Sequence, residues 1–142
     1  MSKGNTFEND FLRLIFNATP IGNIADNASA SALTNLFVSL HTASPGEAGD
    51  QTSNEVSYTG YARVAVARSG SGWVVTNNSV SPAANIDFGT CTAGSATVTH
   101  FAVGTSLTGA GKVLYHGTVT PNINIASGVT PRLVTATAIT ED

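Results

Sequence analysis

From residue 36 onward, short apolar-rich runs separated by Gly, Ser, Asn and Pro return about every ten residues, and no other feature constrains the fold as much. The runs are 36–42, 62–68, 73–76, 79–81, 85–88, 96–104, 112–119, 123–125 and 131–139. Val and Thr are abundant in them, and β-branched side chains pack well on a pleated surface. In the first run Leu36, Val38 and Leu40 alternate with Phe37, Ser39 and His41. That period of two suits a strand buried more heavily on one face. A long parallel sheet would need crossover helices, which the pattern lacks. The spacing is that of an all-β sandwich or barrel, and the expectation is an all-β fold, an antiparallel β-sandwich, with the jelly roll of about eight strands preferred by analogy as much as by the count. No solenoid or propeller repeat appears, nor the heptads or collagen triplets of a fibre shaft.

One helix is predicted, over 6–16, where Phe7, Phe11, Leu14 and Ile15 share a face. Thr6 is placed to cap it, Glu8 and Asp10 lie where the helix dipole favours anions, and 17–20 ends it. Its apolar stripe would serve equally to plug one end of a sandwich or to dock on a neighbouring subunit. Residues 21–34 are small and polar, with a short helical turn suggested near 28–33. The organisation expected is a helix and polar arm over 1–34 and a β-sandwich over 35–142, a single domain overall. At 142 residues such a chain buries roughly two-thirds of the surface it would expose unfolded.

Between the first two runs lies a long polar loop, 44–58. Ser44-Pro45-Gly46 sets a turn, and the following GDQTSNE run is expected outside the core. A loop of that length usually serves a purpose. The interface candidates are Pro45, Gly46, Glu47, Asn54, Glu55 and Tyr58 in this loop, with Phe7 and Phe11 on the helix. Tyr61 and Trp73 are expected to fill the core, leaving Tyr58 for a contact.

Charged residues are only 11% of the chain, against about 25% in an average domain. Ser, Thr, Asn and Gly in their place hydrogen-bond to another surface at low desolvation cost, which points to permanent partners. A net charge of −3 with six scattered basic residues argues against nucleic-acid binding. No apolar run has the length of a membrane span or a leader, so a soluble protein without an exported signal is expected. Catalytic motifs are missing as well. Gly109-Ala110-Gly111-Lys112-Val113 fails the phosphate-loop pattern at both ends, where Ser106 and Val113 stand. No serine sits in a Gly-x-Ser-x-Gly pentapeptide. Glu47, Asp50 and Glu55 share the loop but read as a solvated face, because paired catalytic carboxylates need a rigid cleft. His41, His100 and His116 lack metal-ligand spacing and read as cross-strand or interface hydrogen-bonding groups, with pH-dependent association as a consequence to test. Cys91, in Thr-Cys-Thr, reads as a small buried residue. No enzymatic activity, cofactor or metal is expected.

The order SLHTASPGEAG, NEVSYTGYARVAV, Gly72-Trp73, His100-Phe101-Ala102-Val103-Gly104, KVLYHGTVT and a closing apolar strand resembles a family of small structural proteins of tailed bacteriophages. Members are often labelled tail fibre proteins, and some resemble jelly-roll cement, or decoration, proteins that clamp a capsid. The resemblance covers nearly everything from Leu36 onward. It implies a virion protein made in the host bacterial cytoplasm and carried on the capsid exterior. There it would bridge neighbouring major capsid proteins as a homodimer or homotrimer, with no nucleic-acid or membrane partner. The alternative is a tail fibre tip, receptor-binding or baseplate module.

Overall fold

The computed structural model describes residues 5–21 and 32–141. They form an all-β protein of antiparallel sheets with one short N-terminal helix, as a sandwich requires. The elements are α1 (Asn5–Asn17), β1 (Asn35–His41), β2 (Val64–Ala67), β3 (Trp73–Thr76), β4 (Ser79–Pro82), β5 (Ile86–Asp87), β6 (Ala96–Gly104), β7 (Val113–Ile125), β8 (Arg132–Leu133) and β9 (Ile139–Thr140). Three sheets result, ordered β2-β1-β6-β7, β3-β4-β9 and β5-β8. The helical turn suggested near 28–33 lies largely outside the described residues.

Contacts divide the chain into two compact units: Met1–Asn35 with Val66–Asn85 and Val134–Asp142, and Leu36–Ala65 with Ile86–Leu133. The N-terminal segment thus shares its unit with a central hairpin and the C-terminal strand.

In the first unit α1 packs on β3 and β4. Its buried residues are Glu8, Leu12 and Phe16, not the face formed by Phe7, Phe11, Leu14 and Ile15. The helix is apolar on two sides, and tertiary packing selects the side whose Phe16 ring meets Trp73 edge-on at 4.8 Å. Trp73 is 2% exposed, which places it in this core as expected. The helix starts at Asn5, so Thr6 lies inside its first turn. It ends through Ala18 at φ 54, with Thr19 N donating to Arg13 O. α1 has no basic residue in its last turn. Arg68 supplies the charge from elsewhere in the unit, its guanidinium donating to Leu14 O and Ile15 O. A cation at the carbonyl end of a helix is favoured by the dipole and satisfies acceptors the helix leaves open.

The second unit is built on β1, β6 and β7. β1 pairs with β6 from Phe37↔Gly104 to His41↔His100. Leu36, Val38 and Leu40 are buried as the alternation predicts, and Ser39 and His41 on the other face are buried too. β7 runs unbroken from Val113 to Ile125 through Pro121, where sequence suggested two strands. It is the last strand of its sheet, so Pro121 need not donate to a further neighbour. The register passes from His100↔Thr118 to Val98↔Ile123, so Val119, Thr120, Pro121 and Asn122 bulge out opposite Thr99. The closing run is in turn split into β8 and β9. Cys91 is fully buried in a loop, its thiol directed at Ala93 O and Gly94 O.

Candidate interface loop

Residues 44–58 fold back onto the second unit and are held by an almost continuous set of polar contacts. Gly46 adopts φ 74, and its N–H is taken by Ser44 Oγ at 3.1 Å. A side chain at Gly49 would strike Pro45 O at 2.0 Å, so the tight turn requires glycine there. Asp50 accepts from both the backbone and the hydroxyl of Thr52, at 2.7 and 2.6 Å. Those two bonds hold its carboxyl below the usual carboxylate range.

Gln51 reverses the expectation that this polar run stays out of the core. Its side chain is fully buried, donating to Phe37 O at 3.3 Å and accepting from Ser106 N at 3.0 Å. The neighbours are glycines, since a Cβ on Gly104 would lie 2.2 Å from Gln51 Cδ and one on Gly111 2.0 Å from Gln51 Oε1. A buried amide is tolerated when its hydrogen bonds are made, and here both ends are satisfied.

At the far end of the loop, Glu55 and Arg63 form a forked pair, Nε to Oε1 at 2.7 Å and Nη2 to Oε2 at 2.8 Å, with side chains 15% and 3% exposed. Arg63 also donates to Ser106 O at 3.0 Å. The carboxylate, first through its hydrogen bonds, raises the guanidinium pKa further. Tyr61 donates to Glu55 Oε1 at 2.7 Å and accepts from Leu40 N at 3.1 Å. Burial raises the phenol pKa, and the Glu55 carboxylate adds to the effect. Glu55 is therefore occupied within its own unit. Tyr58 is only 6% exposed, donates to Gly89 O at 2.8 Å and sets its ring at a tilt 5.4 Å from that of Tyr61, so it is an internal anchor and not the free contact expected of it.

His41 completes the clamp. Its Nδ1 donates to Ser53 O at 2.9 Å, which leaves Nε2 to accept from the Ser39 hydroxyl at 2.9 Å. Burial lowers its pKa, against the opposing pull of the Ser53 carbonyl. The register places His41 opposite His100, and His116 opposite Ala102 two residues along the same face of β6. The three histidines thus share one sheet face. Among the described residues, no group of three His, Cys, Asp or Glu side chains is arranged to hold a metal ion.

Of the candidates in the loop, Gly46, Glu47 and Asn54 are exposed, while Pro45 is buried and Glu55 is mostly covered. Asn54 stands at φ 56 with its amide donating to Ser44 O at 2.8 Å. On α1, Phe7 is 39% exposed and Phe11 half-buried, their ring centroids 6.2 Å apart. The buried Gln51 and the Glu55–Arg63 fork went unread in the sequence. A usable signal was there in Gly104 and Gly111, two glycines beside strand ends that imply a close approach.

No curated protein matches the chain. A family model described as Podophage GP4 fiber I protein gp80 matches residues 6–140. The tailed-phage resemblance read from the motif order is thereby supported over almost the whole chain, helix included. The protein belongs to the podophage fibre I family, a family of structural, fibre-associated virion proteins.

Proposed function

We propose that the protein is a non-enzymatic structural subunit of the tail-fibre apparatus, docking on another virion protein through the exposed crest of the 44–58 loop. The observation that carries this reading is the clamp beneath the crest. Gln51, His41 and the Glu55–Arg63–Tyr61 cluster fix the backbone from inside, so Gly46, Glu47, Thr52 and Asn54 are presented in one conformation. A surface ordered in advance loses little entropy on binding. The basic residues Arg63, Arg68 and Arg132 are engaged by Glu55, the α1 carbonyls and Asp87, which leaves little positive charge for a nucleic-acid partner. None of the described helices is long and apolar enough to cross a membrane.

The second reading is capsid cement: a homodimer or homotrimer on the capsid exterior, bridging major capsid proteins. The low charge content favours it as much as it favours the fibre, because both need a permanent partner. Copy number separates them. Purified virions quantified against an internal standard should contain a handful of copies, and antibody labelling should fall on the tail. Hundreds of copies distributed over the head would establish the cement reading instead.

A further inference from the structure

A cleft in the first unit runs past Arg13, between the outer side of α1 and the β3–β4 hairpin. Its larger part, about 550 Å³, is lined by Asn5, Asn9, Asn77 and Asn78, with the hydroxyls of Thr6 and Thr76. That volume is within the roughly 300–1,000 Å³ of small-molecule sites. A smaller part, about 360 Å³, continues beyond Arg13 along Asn17, Gly70 and Trp73. Arg13 and Val75 line both.

The chemistry of the walls is one-sided. They present amides, hydroxyls and one guanidinium, and among the described residues lining them there is no carboxylate. Asn9 and Asn78 use their amide N–H groups on Asn77 O and Glu141 O. A second observation lies in the smaller part: Trp73, 2% exposed, has an Nε1–H without a partner, and Asn17 Oδ1 is a buried acceptor without one. A buried donor and a buried acceptor without partners are each costly to leave unmet, and both residues line this part of the cleft. A hydroxyl suits either, because it can donate and accept. Arg13 calls in addition for an anion, and a planar carboxylate matches its fork.

We propose that this cleft is a binding site for an acidic saccharide, a polyol bearing one carboxylate. The carboxylate meets Arg13, the ring hydroxyls meet the hairpin and helix amides, and one hydroxyl lies towards Trp73 and Asn17. Glu55 and the 44–58 loop take no part in it.

Trp73 is the only tryptophan, so its fluorescence reports on the cleft directly. Sodium D-glucuronate is titrated into the full chain, with D-glucose and sodium acetate as comparators, and amide chemical shifts are followed in parallel. The expected result is saturable binding of glucuronate with shifts at Arg13, Asn17 and residues 73–78, and with both comparators at least about tenfold weaker, the cost of one lost charge-assisted or paired hydrogen-bond set. Arg13→Gln should weaken glucuronate by a similar factor. Gly70→Gln should block the smaller part without disturbing the fold, since a Cβ there meets only Asn17 Nδ2 at 3.6 Å. The proposal is overturned if glucuronate does not saturate by about 20 mM, well beyond millimolar affinity. It is equally overturned if acetate or glucose binds as tightly, or if both variants bind like the wild type.

Discussion

Replacing Gly104 by alanine would test how tightly the 44–58 loop is locked to its sheet. The added methyl would sit 2.2 Å from Gln51 Cδ, 2.5 Å from Oε1 and 2.6 Å from Cγ, far inside contact distance. Gln51 has no room to retreat, because Gly111 approaches its Oε1 from another direction. The amide must then leave its place and give up its bonds to Phe37 O and Ser106 N. Each net hydrogen bond is worth about 1 kcal/mol, and a buried group left without a partner costs about 1–3 kcal/mol, so Gly104→Ala should destabilise by roughly 2–4 kcal/mol. Gln51→Ala loses the same two bonds and should cost a similar amount. The double variant carries the informative result. If the clash is the cause, the new methyl enters space already vacated, and the double variant should match Gln51→Ala alone, a coupling of roughly 2 kcal/mol or more. Urea unfolding of the four proteins, with m compared across them, gives these numbers. A Gly104→Ala variant within about 0.5 kcal/mol of wild type, or additivity within about 0.5 kcal/mol, would refute the reasoning.

Three further outcomes follow from the same geometry. Glu55→Ala leaves the Arg63 guanidinium, 3% exposed, without its counter-charge and should cost about 3–5 kcal/mol in urea unfolding, with Arg63→Met in the same chain recovering part of it. His41 resists protonation in the folded state, its pKa lying below the ordinary 6.5, so the unfolded chain binds more protons once pH falls through that value. Stability should therefore decline on acidification from pH 6.5 towards the folded pKa, and a His41→Gln variant whose unfolding midpoint falls just as steeply would contradict the assignment. Arg68→Gln removes two donors from Leu14 O and Ile15 O and should cost about 1.5–3 kcal/mol, seen as a lower melting temperature with early loss of helical circular dichroism.

The strands were legible because their signal is local. β3 and β6 coincide with the runs read from sequence, and β1 is displaced by a single residue. α1 was legible in extent but not in orientation, since Phe7 and Phe11 on one side and Leu12 and Phe16 on the other are equally apolar, and only Trp73 decides between them. Pro121 reads locally as a strand breaker, whereas a sheet edge makes its missing N–H harmless, and edge position is a property of topology. In the loop, the turn chemistry of Pro45 and Gly46 was visible. The burial of Gln51 was not, because polarity alone argues for solvent until Phe37, Ser106 and two glycines are brought around the amide. Tyr58 and Tyr61 are alike in sequence context, and both are anchored by hydroxyl bonds to groups many residues away or across the cluster.

The four-residue bulge in β7 bears on what the open edge of its sheet can pair with. A straight strand of thirteen residues at the end of a sheet offers a row of backbone donors and acceptors that any other copy could extend, without regard to side chains. Val119, Thr120, Pro121 and Asn122 interrupt that row opposite Thr99 and remove one donor outright. What is left is two shorter stretches of edge, 113–118 and 123–125. An edge interrupted in this way is a poorer template for backbone pairing, which is indiscriminate, and leaves more of any contact to side-chain surfaces, which select their partner.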